Sequence, residues 1–198
     1  MAYTFTSSAA IDNLPFPYSF AFFGQRPNNT QTIDLVSKGT TNFLRDNSAA
    51  VTNQFAYTRQ TSNVDGFARS SGTWTVSDGI IHIVVTVSAA GAIKIYRNGT
   101  EVSYTATPTN INGSLTSEAG SDWIFALDSV THAAIWGAEL SAANVTALYN
   151  GGAGANVYSV QPAAIKAAQD AAPPTITTQP VSRTVLLGRP TTFNVSAV

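Results

Sequence analysis

Three isolated glutamates limit the catalysis that this sequence could support. A retaining glycosidase needs two carboxyl groups about 5 Å apart, often presented from alternate positions of one strand. Glu101, Glu118 and Glu139 are far apart in the chain, and no Glu-x-Asp-x-x-Glu run brings two carboxylates together. The sequence also contains neither an HExxH pair nor a Ser-His-Asp set with a nucleophile elbow. We therefore expect that the protein is not an enzyme.

Three aspartates are the candidate ligands of a calcium ion. Calcium prefers oxygen ligands, and Asp34, Asp122 and Asp128 supply carboxylates. Their spacing follows no ligand motif, so we expect no cofactor, and a calcium ion at these residues is the open alternative. The two histidines, His82 and His132, are too distant in the sequence to indicate a metal site. We expect His82 to be packed and hydrogen-bonded inside an apolar strand.

Four aromatic residues are the candidates for a glycan-binding surface, because the apolar face of a sugar ring packs on an exposed aromatic ring. They are Trp74, Trp123, Tyr57 and Tyr104. Aromatic side chains of β-sandwiches lie in the core more often than on the surface, so burial of these rings is the alternative. Trp136 alternates with small residues, which favours a place in the core.

The composition excludes several classes of protein. The 198 residues are 44% hydrophobic and 11% charged, with a formal net charge of −1. A near-neutral chain without a Lys/Arg cluster is not expected to bind nucleic acid. No apolar run is long enough to cross a membrane, and the amino terminus does not resemble a signal peptide. The absence of cysteine excludes disulfides and thiolate zinc sites.

Many short strands must position these residues. Alternating or continuously apolar runs bounded by Gly, Pro, Asn and Asp predict them. The predicted strands are residues 3–6, 16–23, 32–37, 42–45, 54–59, 80–87, 92–96, 101–105, 122–126 and 130–136. The run at 80–87 is almost wholly apolar, so we expect both of its faces to be covered. Asn98-Gly99 predicts a type I′ hairpin turn. The pattern indicates an all-β, antiparallel jelly-roll sandwich.

One short helix is predicted directly after the last strand of the sandwich. Ser141 is the predicted N-cap, and residues 142–149 suit one or two helical turns whose Val145, Leu148 and Tyr149 pack on the sandwich. The helix is expected to end at Asn150-Gly151-Gly152. Beyond residue 152, an Ala/Pro-rich stretch over 153–174 reads as a linker with a possible second short helix, and a new β-pattern begins at residue 175.

Two stretches of the chain resemble known families. Residues 81–102, IHIVVTVSAAGAIKIYRNGTEV, are similar to the central hairpin of laminin-G-like (concanavalin A-like, pentraxin-like) domains, and residues 132–152 are similar to that family's last strand and closing helix. The position at which the family often carries an acidic residue is Thr131 here. Residues 175–198 resemble the first strands of an immunoglobulin-like domain without its cysteine.

These resemblances imply three regions: a laminin-G-like sandwich over 1–152, the linker over 153–174, and an incomplete immunoglobulin-like domain over 175–198. That order is of the kind seen in virion surface proteins of tailed bacteriophages, such as capsid decorations, head fibres and tail appendages. Such a protein would be assembled in the host cytoplasm, in several copies, against other virion proteins. The alternative is a carbohydrate-binding adhesin, either a phage receptor-binding protein or a bacterial surface protein, whose partners are host-surface glycans.

Overall fold

The structure is a computed structural model in which the chain divides into two compact units. These are Met1–Pro162 and Ala163–Val198. The structure describes residues 3–8, 11–12, 14–26, 34–40, 42–47, 54–62, 64–113, 117–155, 176–178 and 196–197.

Among its described residues, the first unit consists of short antiparallel strands and one α-helix. The strands are β1 Tyr3–Phe5, β2 Tyr18–Gln25, β3 Asp34–Lys38, β4 Asn42–Asn47, β5 Gln54–Arg59, β6 Gly66–Thr73, β7 Ile80–Val87, β8 Ile93–Arg97, β9 Thr100–Glu101, β10 Trp123–Phe125 and β11 Asp128–Trp136. The helix α1 is Ala142–Tyr149. No helix in the described ranges is long and apolar enough to cross a bilayer.

Two sheets form a sandwich. The six-stranded sheet has the order β1-β10-β3-β4-β5-β6, and the five-stranded sheet has the order β11-β2-β7-β8-β9. Tyr18, Phe20 and Phe22 of β2 point from the five-stranded sheet into a buried core that includes Tyr57 and Phe125 of the opposite sheet. The predicted all-β sandwich is therefore confirmed.

The most apolar strand lies at the centre of the five-stranded sheet. β7 pairs with β2 on one side and with β8 on the other. Its inward residues, such as Ile83, belong to the core, and its outward residues His82, Val84 and Thr86 are also buried. Both faces of this strand are covered, as its continuous apolar pattern predicted.

Helix α1 covers the outer side of the five-stranded sheet. Asn144 donates a backbone hydrogen bond to Ser141 Oγ over 3.2 Å, so Ser141 is the N-cap as predicted. Asn150 ends the helix in the left-handed conformation. Val145 and Leu148 are buried, and Thr146 Oγ1 donates to the carbonyl of Gly99 over 3.1 Å. The helix thus packs over the predicted Asn98-Gly99 hairpin turn.

Two strands differ from the sequence prediction in more than their bounds. β6 was not predicted, because its inward residues Ala68 and Ser70 are small while its outward residues Phe67 and Arg69 are large. The regular alternation predicted for β11 is interrupted by register shifts in its pairing with β2. His132 has a φ of +50° within this irregular stretch, and an irregularity of this kind changes which residues face the core.

In the second unit, the structure describes one antiparallel pair. It joins β12, Ile176–Thr178, to β13, Ser196–Ala197. Most of the predicted linker lies outside the described residues. The immunoglobulin-like interpretation of the tail remains a prediction.

Candidate ligand-binding face

The outer face of the six-stranded sheet carries two rows of side chains. Residues directly opposite each other in an antiparallel pair point to the same side of the sheet. In the first row, Thr4 lies opposite Ile124, Ile124 opposite Ser37, and Thr58 opposite Phe67. All five are exposed or half-buried.

The second row crosses four neighbouring strands. Asp34 lies opposite Arg45, Arg45 opposite Ala56, and Ala56 opposite Arg69. We call the two rows together the open face, because α1 lies over the other sheet; Asp34, Arg45 and Arg69 are half-buried, and Ala56 between the arginines is buried. One surface thereby presents hydroxyl groups, two cations, one carboxylate, an aromatic ring and an aliphatic side chain.

One of the two cations of the open face has an anionic partner within the sheet. Arg45 donates to both carboxylate oxygens of Asp34, over 2.5 and 3.2 Å, and this carboxylate raises the pKa of Arg45. The side chains remain 39% and 42% exposed. Such an exposed pair contributes little to stability, but it offers donors and acceptors side by side.

The other cation, Arg69, lies over the aromatic ring of Phe67. The Arg69 Cζ atom lies 5.2 Å from the centroid of the Phe67 ring, an arrangement in which the ring's negative face attracts the guanidinium. Arg69 Nε is buried without a hydrogen-bond partner. No carboxylate among the described residues is paired with Arg69, so the second row carries two positive charges and one negative charge.

The outer face of the five-stranded sheet is built differently. Residues 137–140 and α1 lie over it, and we call it the covered face. Ser19 Oγ donates to the Ala138 carbonyl over 2.9 Å and accepts from the Leu140 amide over 3.0 Å. Ser19, Ala21 and Phe23 are all buried. A ligand cannot reach this face without displacing the chain that covers it.

The aromatic residues predicted to bind glycans lie elsewhere. Trp74 and Trp123 are 1% exposed and Tyr57 is fully buried, so these three predictions are corrected. Their rings pack against Phe55 and Phe20 inside the sandwich, where they contribute more by burial than they would on the surface.

Tyr104, the fourth predicted residue, is half-buried. Its hydroxyl accepts from the Ile95 amide over 2.9 Å and donates to Glu101 Oε1 over 3.2 Å. Burial raises the pKa of this hydroxyl. The group is engaged in fixing the chain after β9, so Tyr104 is a poor stacking platform.

The three aspartates predicted to bind calcium do not converge. Asp34 is paired with Arg45, Asp122 Oδ1 accepts from the Ser7 amide over 2.8 Å, and Asp128 lies opposite Gln25 at the start of β11. In the described part of the chain, no group of three acidic or histidine side chains could hold a metal ion. The predicted calcium ligands are therefore not assembled into a site.

A buried polar cluster was missed by the sequence reasoning. Arg59 Nη2 lies 3.2 Å from Glu118 Oε2, with both side chains almost wholly buried, and Arg59 Cζ lies 5.0 Å from the Tyr18 ring centroid. The hydroxyls of Tyr18 and Tyr57 are hydrogen-bonded to each other, and burial raises the pKa of both. Because these groups are inaccessible, the cluster fixes the fold and cannot act on a substrate.

The two histidines lie at the edge of the covered face. His82 is 2% exposed and stacks on Phe23, with ring centroids 4.5 Å apart. Burial, together with nearby His132, lowers the pKa of His82 to about 4. His82 is packed as predicted, but its Nδ1 has no hydrogen-bond partner. This arrangement keeps the ring neutral near pH 7.

Comparison with known proteins identifies the fold without identifying a family. No protein-family model matches the chain, and no curated protein matches its sequence. The chain is similar to the binding domain of Paraclostridial Mosquitocidal Protein 1, with a TM-score of 0.57, 17% identity, and coverage of 75% of this chain and 40% of that chain.

Two further solved structures share the fold. Domain 4 of AbnA, a GH43 extracellular arabinanase from Geobacillus stearothermophilus solved in complex with arabinotriose, has a TM-score of 0.53 and 14% identity, covering 73% of this chain and 70% of that one. The botulinum neurotoxin serotype G binding domain has a TM-score of 0.51 and 19% identity, covering 75% and 40%. This chain therefore spans well under half of the two toxin domains. At these identities the likeness shows a β-sandwich fold and nothing finer.

Proposed function

We propose that this chain is a non-catalytic carbohydrate-binding module and that the open face is its binding surface. The observation that carries the proposal is the asymmetry of the sandwich: α1 and residues 137–140 cover one outer face, whereas the described elements leave the other open. The fold supports it, since the similar arabinanase domain was solved with arabinotriose and two other similar structures are binding domains by name.

The open face offers the groups that a sugar needs. Ser37 and Thr58 present hydroxyls that can donate and accept. The Arg45–Asp34 pair presents both a donor fork and an acceptor, which suits neighbouring hydroxyl groups of a pyranose or furanose. Ile124, at 38% exposed, supplies apolar surface for the C–H face of the ring.

Glycan-array screening followed by isothermal titration calorimetry tests the proposal. The double variant Thr58→Ala/Phe67→Ala removes a hydroxyl and a ring from the open face, and we expect it to weaken binding at least tenfold. Tyr3→Ala is the matched control, because its aromatic ring, 46% exposed, lies opposite Phe125 and so on the other side of the sheet from Thr4 and Ile124. If no glycan binds, or if both variants lose binding equally, the proposal fails.

We propose, as a second candidate function, that the chain is a virion surface protein. This proposal depends on the sequence resemblance. A laminin-G-like sandwich followed by an immunoglobulin-like segment favours a surface protein of a tailed phage that meets other virion proteins in several copies. The sandwich would then display or recognise glycans at the particle or cell surface. Mass spectrometry of purified particles tests it: the chain should be present at a fixed, symmetric copy number, and absence from particles would refute the virion location without touching glycan binding.

A further inference from the structure

We infer that the open face selects glycans that carry a carboxylate, such as uronic acids, and that Arg69 binds this carboxylate. The inference rests on the glycan-binding function proposed above and names its substrate class. Three properties of Arg69 and its neighbours carry it: the charge balance of the second row, the support that Phe67 and β6 give to the guanidinium, and the hydroxyl groups beside it.

The charge balance distinguishes the two arginines of the open face. Arg45 is matched by Asp34 through two hydrogen bonds, so an acidic ligand would have to compete with a carboxylate already in place. Arg69 has no carboxylate partner among the described residues. A ligand that brings one negative charge to this row would neutralise it, since Arg45, Arg69 and Asp34 together leave one positive charge.

Arg69 is held in place before any ligand arrives. Its backbone carbonyl accepts from the Thr105 amide over 3.0 Å, and its strand is hydrogen-bonded to β5 on the other side. Two residues earlier on the same strand, Phe67 exchanges two backbone hydrogen bonds with Thr109, of 3.0 and 2.8 Å. A functional group on a strand paired on both sides is positioned more accurately than one on a free loop.

Phe67 gives the guanidinium its orientation. With Cζ 5.2 Å from the ring centroid, the ring supports the planar group and restricts its rotamers. The planar fork of Arg matches the two oxygens of a carboxylate. Because the Arg69 side chain is already oriented, it loses less rotamer freedom when a carboxylate binds. The affinity for the carboxylate is therefore higher. A lysine at this position would supply the charge without the fork.

The hydroxyls of the first row complete the selection of a sugar. Thr58 lies opposite Phe67 on β5, so it is the diagonal neighbour of Arg69 across the strand pair. An acidic sugar could therefore place its carboxylate on Arg69 and a ring hydroxyl on Thr58. A simple anion such as phosphate would use the first contact alone, which is why we commit to an acidic glycan.

Calorimetric titration of the intact chain with trigalacturonate and with neutral arabinotriose tests the inference. We expect the wild type to bind trigalacturonate about tenfold more tightly at low salt, because a hydrogen-bonded charge contributes roughly this factor. Arg69→Gln should lose that preference, so that it no longer binds trigalacturonate more tightly than arabinotriose. Arg69→Lys should retain only part of it. Arg97→Gln is the matched control, since Arg97 is an arginine paired with Asp78 outside the open face.

Each outcome decides the inference. An undiminished acidic preference in Arg69→Gln overturns it, as does tighter binding of a sulfated trisaccharide than of trigalacturonate. If arabinotriose binds, Phe67→Ala removes that binding and no acidic preference exists, the proposed function stands while the inference is wrong. If neither trisaccharide binds, the inference is overturned, and the glycan array decides the proposed function separately. Thermal melts of each variant exclude unfolding as the cause.

Discussion

The two outer faces of the sandwich differ in what lies over them and in what they carry. The covered face holds Ser19, Ala21, Phe23 and His82, which are buried beneath α1 and the segment before it. The open face holds Asp34 and the arginines, which solvent can hydrate. The chain therefore places an uncharged surface where a helix must dock and a charged, hydroxylated surface where none of the described elements does.

In this protein, the burial of a charged group does not indicate that the group binds a ligand. Its most buried charged groups, Arg59 and Glu118, are inaccessible to a ligand. The exposed Arg45–Asp34 pair of the open face contributes little to stability. Residues on the covered face should therefore govern stability, and residues on the open face should govern binding.

The largest effect should follow from disturbing the covered face. Leu148→Ala removes a buried side chain of α1, and we expect a loss of about 2–5 kcal/mol in the free energy of unfolding. Denaturant titration followed by circular dichroism measures it. The exposed neighbour Ala147 provides the control, because Ala147→Ser should change stability by less than about 0.5 kcal/mol. Equal effects of the two substitutions would mean that α1 is not docked.

The second-largest effect should be a loss of stability at acidic pH, caused by His82 on the covered face. Burial lowers the pKa of His82 from its ordinary value of 6.5 to about 4 in the folded protein, so the unfolded chain takes up a proton first as the pH falls. The contribution of neutral His82 to the free energy of unfolding is fully present above pH 6.5 and is lost as the pH falls from 6.5 to 4. The difference corresponds to a loss on the order of 3 kcal/mol.

Denaturant titrations at several pH values measure that loss. The variant His82→Phe keeps an aromatic ring against Phe23 and has no proton to gain, so its stability should fall less than that of the wild type over the same range. If the two proteins lose stability in parallel, other groups are responsible. The carboxylates that titrate at lower pH are common to both proteins and cancel in the comparison.

The smallest effect should come from the open face. Asp34→Asn removes the anionic partner of Arg45, and an exposed pair of this kind contributes about 0.2–1 kcal/mol to stability. The loss should shrink as salt screens the pair. The same substitution removes one negative charge from the second row, so affinity for trigalacturonate should rise. A loss above 2 kcal/mol would contradict the assignment of this face to binding.

The sequence predicted the covered face better than the open one. β7 and α1 were predicted with correct bounds, because a continuous apolar run and an N-cap followed by a Gly stop are local signals. β6, which carries Phe67 and Arg69, was missed because its small residues point inward and its large residues outward, opposite to the usual pattern. Neither residue stands out in the sequence, and only their register with β5 brings them beside Thr58.

The amino-acid sequence by itself determined the fold class, the closing helix and the absence of an obvious catalytic motif, since all three depend on local pattern and residue type. It did not determine which aromatic rings are exposed, because Trp74 and Trp123 have the same apolar character in the core and on a surface. It also did not determine which charges are matched. Strand order and register decided both, by placing Asp34 beside Arg45 and, within the described residues, placing Arg69 against the Phe67 ring and not against a carboxylate.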